Sequence, residues 1–212
     1  MQETNASRGR FLAFEGIDGS GKTTQLKRLV KRLNDMGQRC YETREPTDGP
    51  IGSMIRQALT GRIKLDNRAM AALFAADRVD HLTNESNGLL PMLEQGIHVV
   101  TDRYYFSSYA YHAVDMDMDW VIQANAQAAN LLRPTATVFI DVSPEVSLER
   151  ISKNRFHTEL YEEQGRLTRT RELFYRAFEA QKDCENVIIV NGNMDEDSLE
   201  QAIWEKVKDF FL

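Results

Sequence analysis

Cysteine is scarce in this sequence: two residues, Cys40 and Cys184, far apart in the chain. They fit no metal-ligand spacing and no disulfide framework, which points to a reducing, cytoplasmic setting. Proline is scarce too, five residues in 212, and no Pro- or Ser-rich linker divides the chain. No apolar run approaches the roughly 18 residues that cross a bilayer, so no membrane role is expected. The stretch from Met1 to Arg10 has no apolar segment before Phe11, and reads as a polar tail rather than a leader. A basic surplus is absent as well. The net charge is -6, which argues against duplex nucleic acid held on a broad basic face.

What is present is an ordinary globular composition, 42% hydrophobic and 27% charged, which excludes disordered and fibrous classes. Short apolar runs alternate with helical patterns. Phe11–Phe14, Arg39–Arg44, Ile97–Thr101, Ala136–Val142 and Val187–Val190 read as strands. Between the first two, Leu26, Leu29, Val30, Leu33 and Met36 recur at helical spacing, and Gly37 stands where a helix would be capped. Helical patterns also cover Ile51–Leu59, Asn67–Asn84, Leu89–Gln95 and Ser198–Phe211. Strands buried on both faces and separated by helices predict an α/β fold, a five-stranded parallel sheet with helices on both faces. Such sheets hold ligands at the carboxyl ends of their strands.

One of those ends carries Gly16-Ile17-Asp18-Gly19-Ser20-Gly21-Lys22-Thr23, a full G-x-x-x-x-G-K-[ST] pattern between a strand and a helix. Glycines let backbone N–H groups approach phosphate oxygens, and the helix N-terminus adds partial positive charge. Lys22 is suited to the outer phosphates and Thr23 to Mg²⁺. The pattern implies a P-loop NTPase fold and a bound nucleoside triphosphate, without choosing among kinase, switch and motor. Arg44, Arg78 and Arg103 lie at or near other strand ends or on a helix beside them. Singly, each could be a solvated surface residue; together they suggest a second anion. Phe74, Tyr104, Tyr105, Phe106, Tyr109 and Tyr111 could wall a base, although some of the six must belong to the core.

The blocks Phe14–Gln25, Thr43–Pro46, Leu73–Arg78 and Asp102–Tyr111, in this order, resemble thymidylate kinases, over a span from about Phe11 to Phe211. The resemblance implies phosphorylation of dTMP to dTDP with ATP and Mg²⁺ in the cytoplasm, and a homodimer. It implies that residues Gly16 to Thr24 bind ATP and that Thr23 and Asp102 serve the metal. Phe74 would stack on thymine, with Arg78 and Ser108 at its polar edge. Tyr111 would exclude a ribose 2′-OH, and Asp18 would reach the sugar 3′-OH. Arg44 and Arg103 would hold the acceptor phosphate, with Ser107 beside them. Asp102 would organise the metal's water shell or orient Arg103. A mobile lid is expected over about 150–166, inside a single domain of residues 10–212 that follows a flexible tail, 1–9. Its Arg150, Lys153 and Arg155 would close over the triphosphate, because the loop itself holds no basic residue between Gly16 and Gly21. Tyr161 would close over the monophosphate. From Arg166 onward, interleaved acidic residues also fit a salt-bridged helical face. His112 stands where many bacterial members carry glutamine; it could touch base or sugar, or simply pack. The competing expectations are a kinase for another nucleoside monophosphate such as dUMP, and a non-catalytic nucleotide switch.

Overall fold

The structure is a computed structural model that describes residues 8–154 and 164–212, the side chains of 153 and 154 excepted. Every strand that the apolar runs predict is present: β1 Phe11–Glu15, β2 Cys40–Arg44, β3 His98–Asp102, β4 Ala136–Asp141 and β5 Val187–Asn191. All pair in parallel, in the order β2-β3-β1-β4-β5. β1 is the central strand, and all five of its residues are buried. Side chains alternate across a strand. Phe11 and Ala13 accordingly join one apolar core while Leu12 and Phe14 join another on the opposite face.

The second core is closed by helices α1 (Lys22–Asp35) and α10 (Glu196–Val207), through Leu26, Leu29, Leu33, Ile203 and Trp204. On the other face lie α2 (Pro50–Leu59), α3 (Asn67–Thr83), α4 (Leu89–Glu94), α5 (Tyr105–His112), α6 (Met118–Ala124), α7 (Ala126–Leu131), α8 (Pro144–Asn154) and α9 (Gln164–Gln181), of which α2 packs mainly on α3. Tyr104, Tyr105, Phe106 and Tyr109 pack there with Phe139, Phe174 and Phe178. Four of the six aromatics considered for a base wall are therefore core residues, and a fifth, Tyr111, is buried in the same core while also lining the cleft.

Gly37 ends α1 as expected. It takes a left-handed φ of 81°, its N–H bonds Asn34 O and the N–H of Gln38 bonds Leu33 O. These are the two bonds of a Schellman cap. α10 starts two residues earlier than its apolar pattern, because the Asp195 carboxylate accepts from the N–H groups of Asp197 and Ser198. The packed chain reaches back to Gly9, which is buried and donates to Leu93 O at 2.7 Å. Residues 1–7 of the expected tail lie outside the described residues, as do residues 155–163 of the expected lid. No helix among the described residues is long and apolar enough to cross a membrane.

Candidate active site

One cleft of about 580 Å³ runs along the carboxyl ends of the strands, lined by the Asp18–Gln25 loop, Arg44, Phe74, Arg78, Asp102, Arg103, Tyr111 and Arg150. β1 delivers the loop. Gly19 is left-handed at φ 72°, and a Cβ there would lie 2.6 Å from Ser147 O of α8. Only glycine fits that approach. Ser147 Oγ also donates to Asp18 O, so α8 is seated directly on the loop. Lys22 opens α1 with its side chain folded inward, donating to Gly16 O at 3.0 Å and Ile17 O at 2.9 Å. Burial, seconded by the positive charge of Arg103, lowers its pKa to about 8.

Thr23 Oγ1 donates to Asp102 Oδ2 at 2.5 Å. Among the described residues no trio of His, Cys, Asp or Glu side chains could hold a metal. A hydroxyl paired with one carboxylate suits a hard dication that completes its shell with phosphate oxygens and water. Asp102 also lies close enough to Arg103 to act on its charge, so the structure leaves it beside both Thr23 and Arg103.

Arg103 adopts φ 74°, an unusual backbone state for a bulky residue. Its guanidinium donates to Asp18 Oδ1 at 2.5 Å, Ser107 Oγ at 3.0 Å and the Tyr111 hydroxyl oxygen at 3.3 Å. It also lies 4.8 Å from the centre of the Tyr111 ring. The Tyr111 hydroxyl in turn donates to Asp18 Oδ2 at 2.9 Å. Loop, β3 end and α5 thus meet on the Asp18 carboxylate.

On the far wall Arg78 is almost wholly buried. Its Nε donates to Glu45 Oε2 at 2.7 Å, Nη1 to Ser108 Oγ at 3.0 Å and to Asn125 Oδ1, and Nη2 to Tyr104 O at 3.1 Å. Nη2 also lies 2.7 Å from Glu45 Oε2. Four of the five N–H donors of this guanidinium are hydrogen-bonded, and the Nη2 that carries the fifth is in ion-pair contact with Glu45. His81 braces the same carboxylate, its Nδ1 3.2 Å from Glu45 Oε1 and its Nε2 2.8 Å from Thr43 Oγ1. Half-buried Phe74 borders the cleft, its ring 5.1 Å from that of His112. His112 is 4% exposed, and burial, with Arg78 and Arg166 nearby, pushes its pKa down to about 3. It is a neutral packing partner of Phe74 at neutral pH. Arg44 is exposed and donates to Asp48 at 2.8 Å.

Arg150 donates to Gly192 O at 2.9 Å and Met194 O at 3.3 Å, tying α8 to the segment after β5. Lys153 lies in α8 with its side chain outside the described residues; Arg155 and Tyr161 lie outside them altogether. Arg169 pairs with Glu172 one turn on, the salt-bridged helical face read as an alternative, whereas Arg166 reaches Asp115 after α5. Arg171 instead grips Asp141 at the end of β4 through two bonds of 2.6 and 2.7 Å.

Sequence reasoning missed Glu15, Glu45, His81 and Asn125 as supports, and Gln25, Met194, Glu196 and Leu199 as cleft lining. Glu15 and Glu45 stood inside the quoted blocks. Asn125 carried no signal, since its partner Arg78 is remote in sequence.

A thymidylate kinase family model matches residues 14–203. The chain is 41% identical over 150 residues to a probable thymidylate kinase of Pyrococcus horikoshii, covering 68% of this chain and 70% of the relative. It is 42% identical over 152 residues to the thymidylate kinase of Ligilactobacillus salivarius, covering 69% and 72%. It is 40% identical over 166 residues to a probable thymidylate kinase of Pyrobaculum calidifontis, covering 77% and 80%. The cleft gives one phosphate loop and one arginine-lined pocket a common wall, the arrangement a phosphoryl transfer between two nucleotides requires, and the chain belongs to the thymidylate kinase family, whose members are kinases that convert dTMP to dTDP.

Proposed function

We propose that this chain moves the terminal phosphoryl group of ATP onto dTMP, with Mg²⁺, through the residues that meet on Asp18. The observation that carries this reading is the Arg103–Asp18–Tyr111 junction, which joins the phosphate loop to the pocket of Phe74, Arg78 and Ser108. An acceptor phosphate with a second pKa near 6 is mostly dianionic at pH 7, so its oxygen attacks without a general base. What remains for the protein is positioning and charge neutralisation.

The loop N–H groups from Gly16 to Thr24 take the triphosphate, and Lys22 leaves its carbonyl partners for the outer phosphates. Thr23 and Asp102 would hold Mg²⁺, which would supply neutralising charge to the phosphates. Arg103 and the exposed Arg44, which leaves Asp48 to do so, hold the acceptor phosphate, with Ser107 beside Arg103. Arg150 sits between the loop and the Gly192–Met194 segment, where the donor base enters. Phe74 stacks on the acceptor base. Since both N–H groups of Arg78 Nη1 are engaged, a base carbonyl takes the one now given to Ser108. That exchange frees the Ser108 hydroxyl for the base as well. Tyr111, clamped by Asp18 and Arg103, occupies the space a ribose 2′-OH needs, and the Asp18 carboxylate serves the sugar 3′-OH. The working unit is a cytoplasmic homodimer.

The test is an ADP-release assay with ATP and Mg²⁺, offering dTMP, dUMP, UMP, dCMP, dGMP and AMP in parallel. dTMP is expected to be phosphorylated fastest. Preference for another acceptor would keep the kinase chemistry and overturn the base assignment.

A further inference from the structure

Glu15 ends β1, directly ahead of the phosphate loop, and is fully buried. Its Oε1 accepts from the backbone N–H of Tyr104 at 2.9 Å and of Ser107 at 3.0 Å. Its Oε2 accepts from the Ser107 hydroxyl at 2.5 Å. Tyr104 and Ser107 bracket the first turn of α5, where a helix leaves N–H groups without partners and is partially positive. α5 has no capping side chain of its own, since its N-cap is Tyr104. Glu15 caps it from another strand. Burial pushes the Glu15 carboxyl up to about 7, against the pull of Ser107, Arg103 and Tyr104.

The same contacts hold Arg103. Its left-handed φ of 74° persists only where the surroundings enforce it. On one side, its own N–H bonds Phe14 O at 2.9 Å; on the other, the next N–H bonds Glu15. Two consecutive amides are thus pinned to two consecutive residues of β1. The side chain is held as well: the Ser107 hydroxyl that donates to Glu15 accepts from Arg103 Nη1 at 3.0 Å. A relay runs from Glu15 through Ser107 to the guanidinium.

We propose that Glu15 is a positioning residue of the transfer reaction, setting the backbone and guanidinium of Arg103 so that the acceptor phosphate is aligned with the loop. It touches no substrate and acts through Ser107 and Arg103. The inference rests on reading Arg103 as the holder of the acceptor phosphate.

Three variants test it, by steady-state kinetics in both substrates and by thermal melting. Glu15→Gln keeps an oxygen for the two backbone N–H groups but turns an N–H₂ toward Ser107, breaking the relay. Ser107→Ala leaves the two backbone bonds of the carboxylate cap and removes the middle member of the relay, and the double variant separates the part that runs through Glu15 from the contact Ser107 makes with Arg103 itself. Each is expected to lower kcat/KM for dTMP by about ten- to a hundredfold with KM for ATP unchanged, while melting falls only as far as the loss of one buried hydrogen bond requires. The double variant should lose no more than the worse single one, as groups acting in one relay are not additive. Arg103→Lys is the control. If it cripples transfer while Glu15→Gln and Ser107→Ala match the wild type in kcat/KM, Glu15 is only a helix cap and the inference falls. If Arg103→Lys itself leaves transfer intact, the reading of Arg103 falls and takes the inference with it.

Discussion

At the residue scale, the Arg78–Glu45 pair is the most consequential support in the acceptor wall. Both side chains are 1% exposed. Breaking a buried pair strands one charge without compensation, at a cost of about 3–5 kcal/mol. Glu45→Ala is expected to lose stability on that scale in urea unfolding. Arg44→Ala, one residue earlier and exposed, should lose less than about 1 kcal/mol. Equal losses would show that the pair is not the anchor described. The resemblance placed Arg78 at the base, and the cleft includes it; what it could not supply was the set of partners. Those come from the residue after β2, from α5 and from the α6–α7 junction, and only packing brings them together.

His112 belongs to the same scale. It was open between contact and packing in the sequence, because burial decides its charge and burial is a tertiary property. Its pKa falls from 6.5 to about 3 in the folded chain, with Arg78 and Arg166 opposing its charge and Asp115 favouring it. The unfolded chain therefore binds the extra proton between those values. The stability linked to this group is complete above about pH 6.5 and is lost as pH falls toward 3, by up to about 1.4 kcal/mol per pH unit. His112→Gln should remove that slope. Unfolding free energies of the two proteins, measured from pH 7 to pH 4, should converge or cross; parallel curves would mean that His112 titrates normally.

At the element scale, strands and helix ends were legible because each follows from local chemistry. Apolar runs such as Val99-Val100 and the glycine at 37 report their own geometry. The seating of α8 on the phosphate loop was not legible. It depends on Ser147 meeting Gly19 across the sheet edge, and nothing in either segment announces the other. Gly19→Ala adds a Cβ at a left-handed φ and against a carbonyl, a strain of about 1–3 kcal/mol. We expect a lower melting temperature together with weaker binding of a fluorescent ATP analogue. Normal nucleotide affinity in that variant would mean that the loop does not need α8 to hold its shape.

At the scale of the whole molecule, the parallel sheet was readable from the spacing of its strands, whereas self-association is a property of surfaces and came from resemblance alone. Sedimentation equilibrium at micromolar concentration should give twice the 24.3 kDa chain mass. A single species of 24.3 kDa would refute the proposed homodimer.

The order of the strands has a consequence of another kind. β2 and β3 lie on one flank of β1 and present Arg44, Asp102 and Arg103; β4 and β5 lie on the other and lead to Arg150 and the Gly192–Leu199 segment. On the proposed reading, the β2–β3 flank serves the acceptor and the β4–β5 flank the donor, with the phosphate loop as their shared border and Asp102 of β3 reaching across to Thr23. Such a division makes the halves separately editable. An engineer could rewrite the wall of Phe74, Ser108 and His112, carried on α3 and α5, to accept an altered base, and the phosphate loop that takes ATP would need no matching edit.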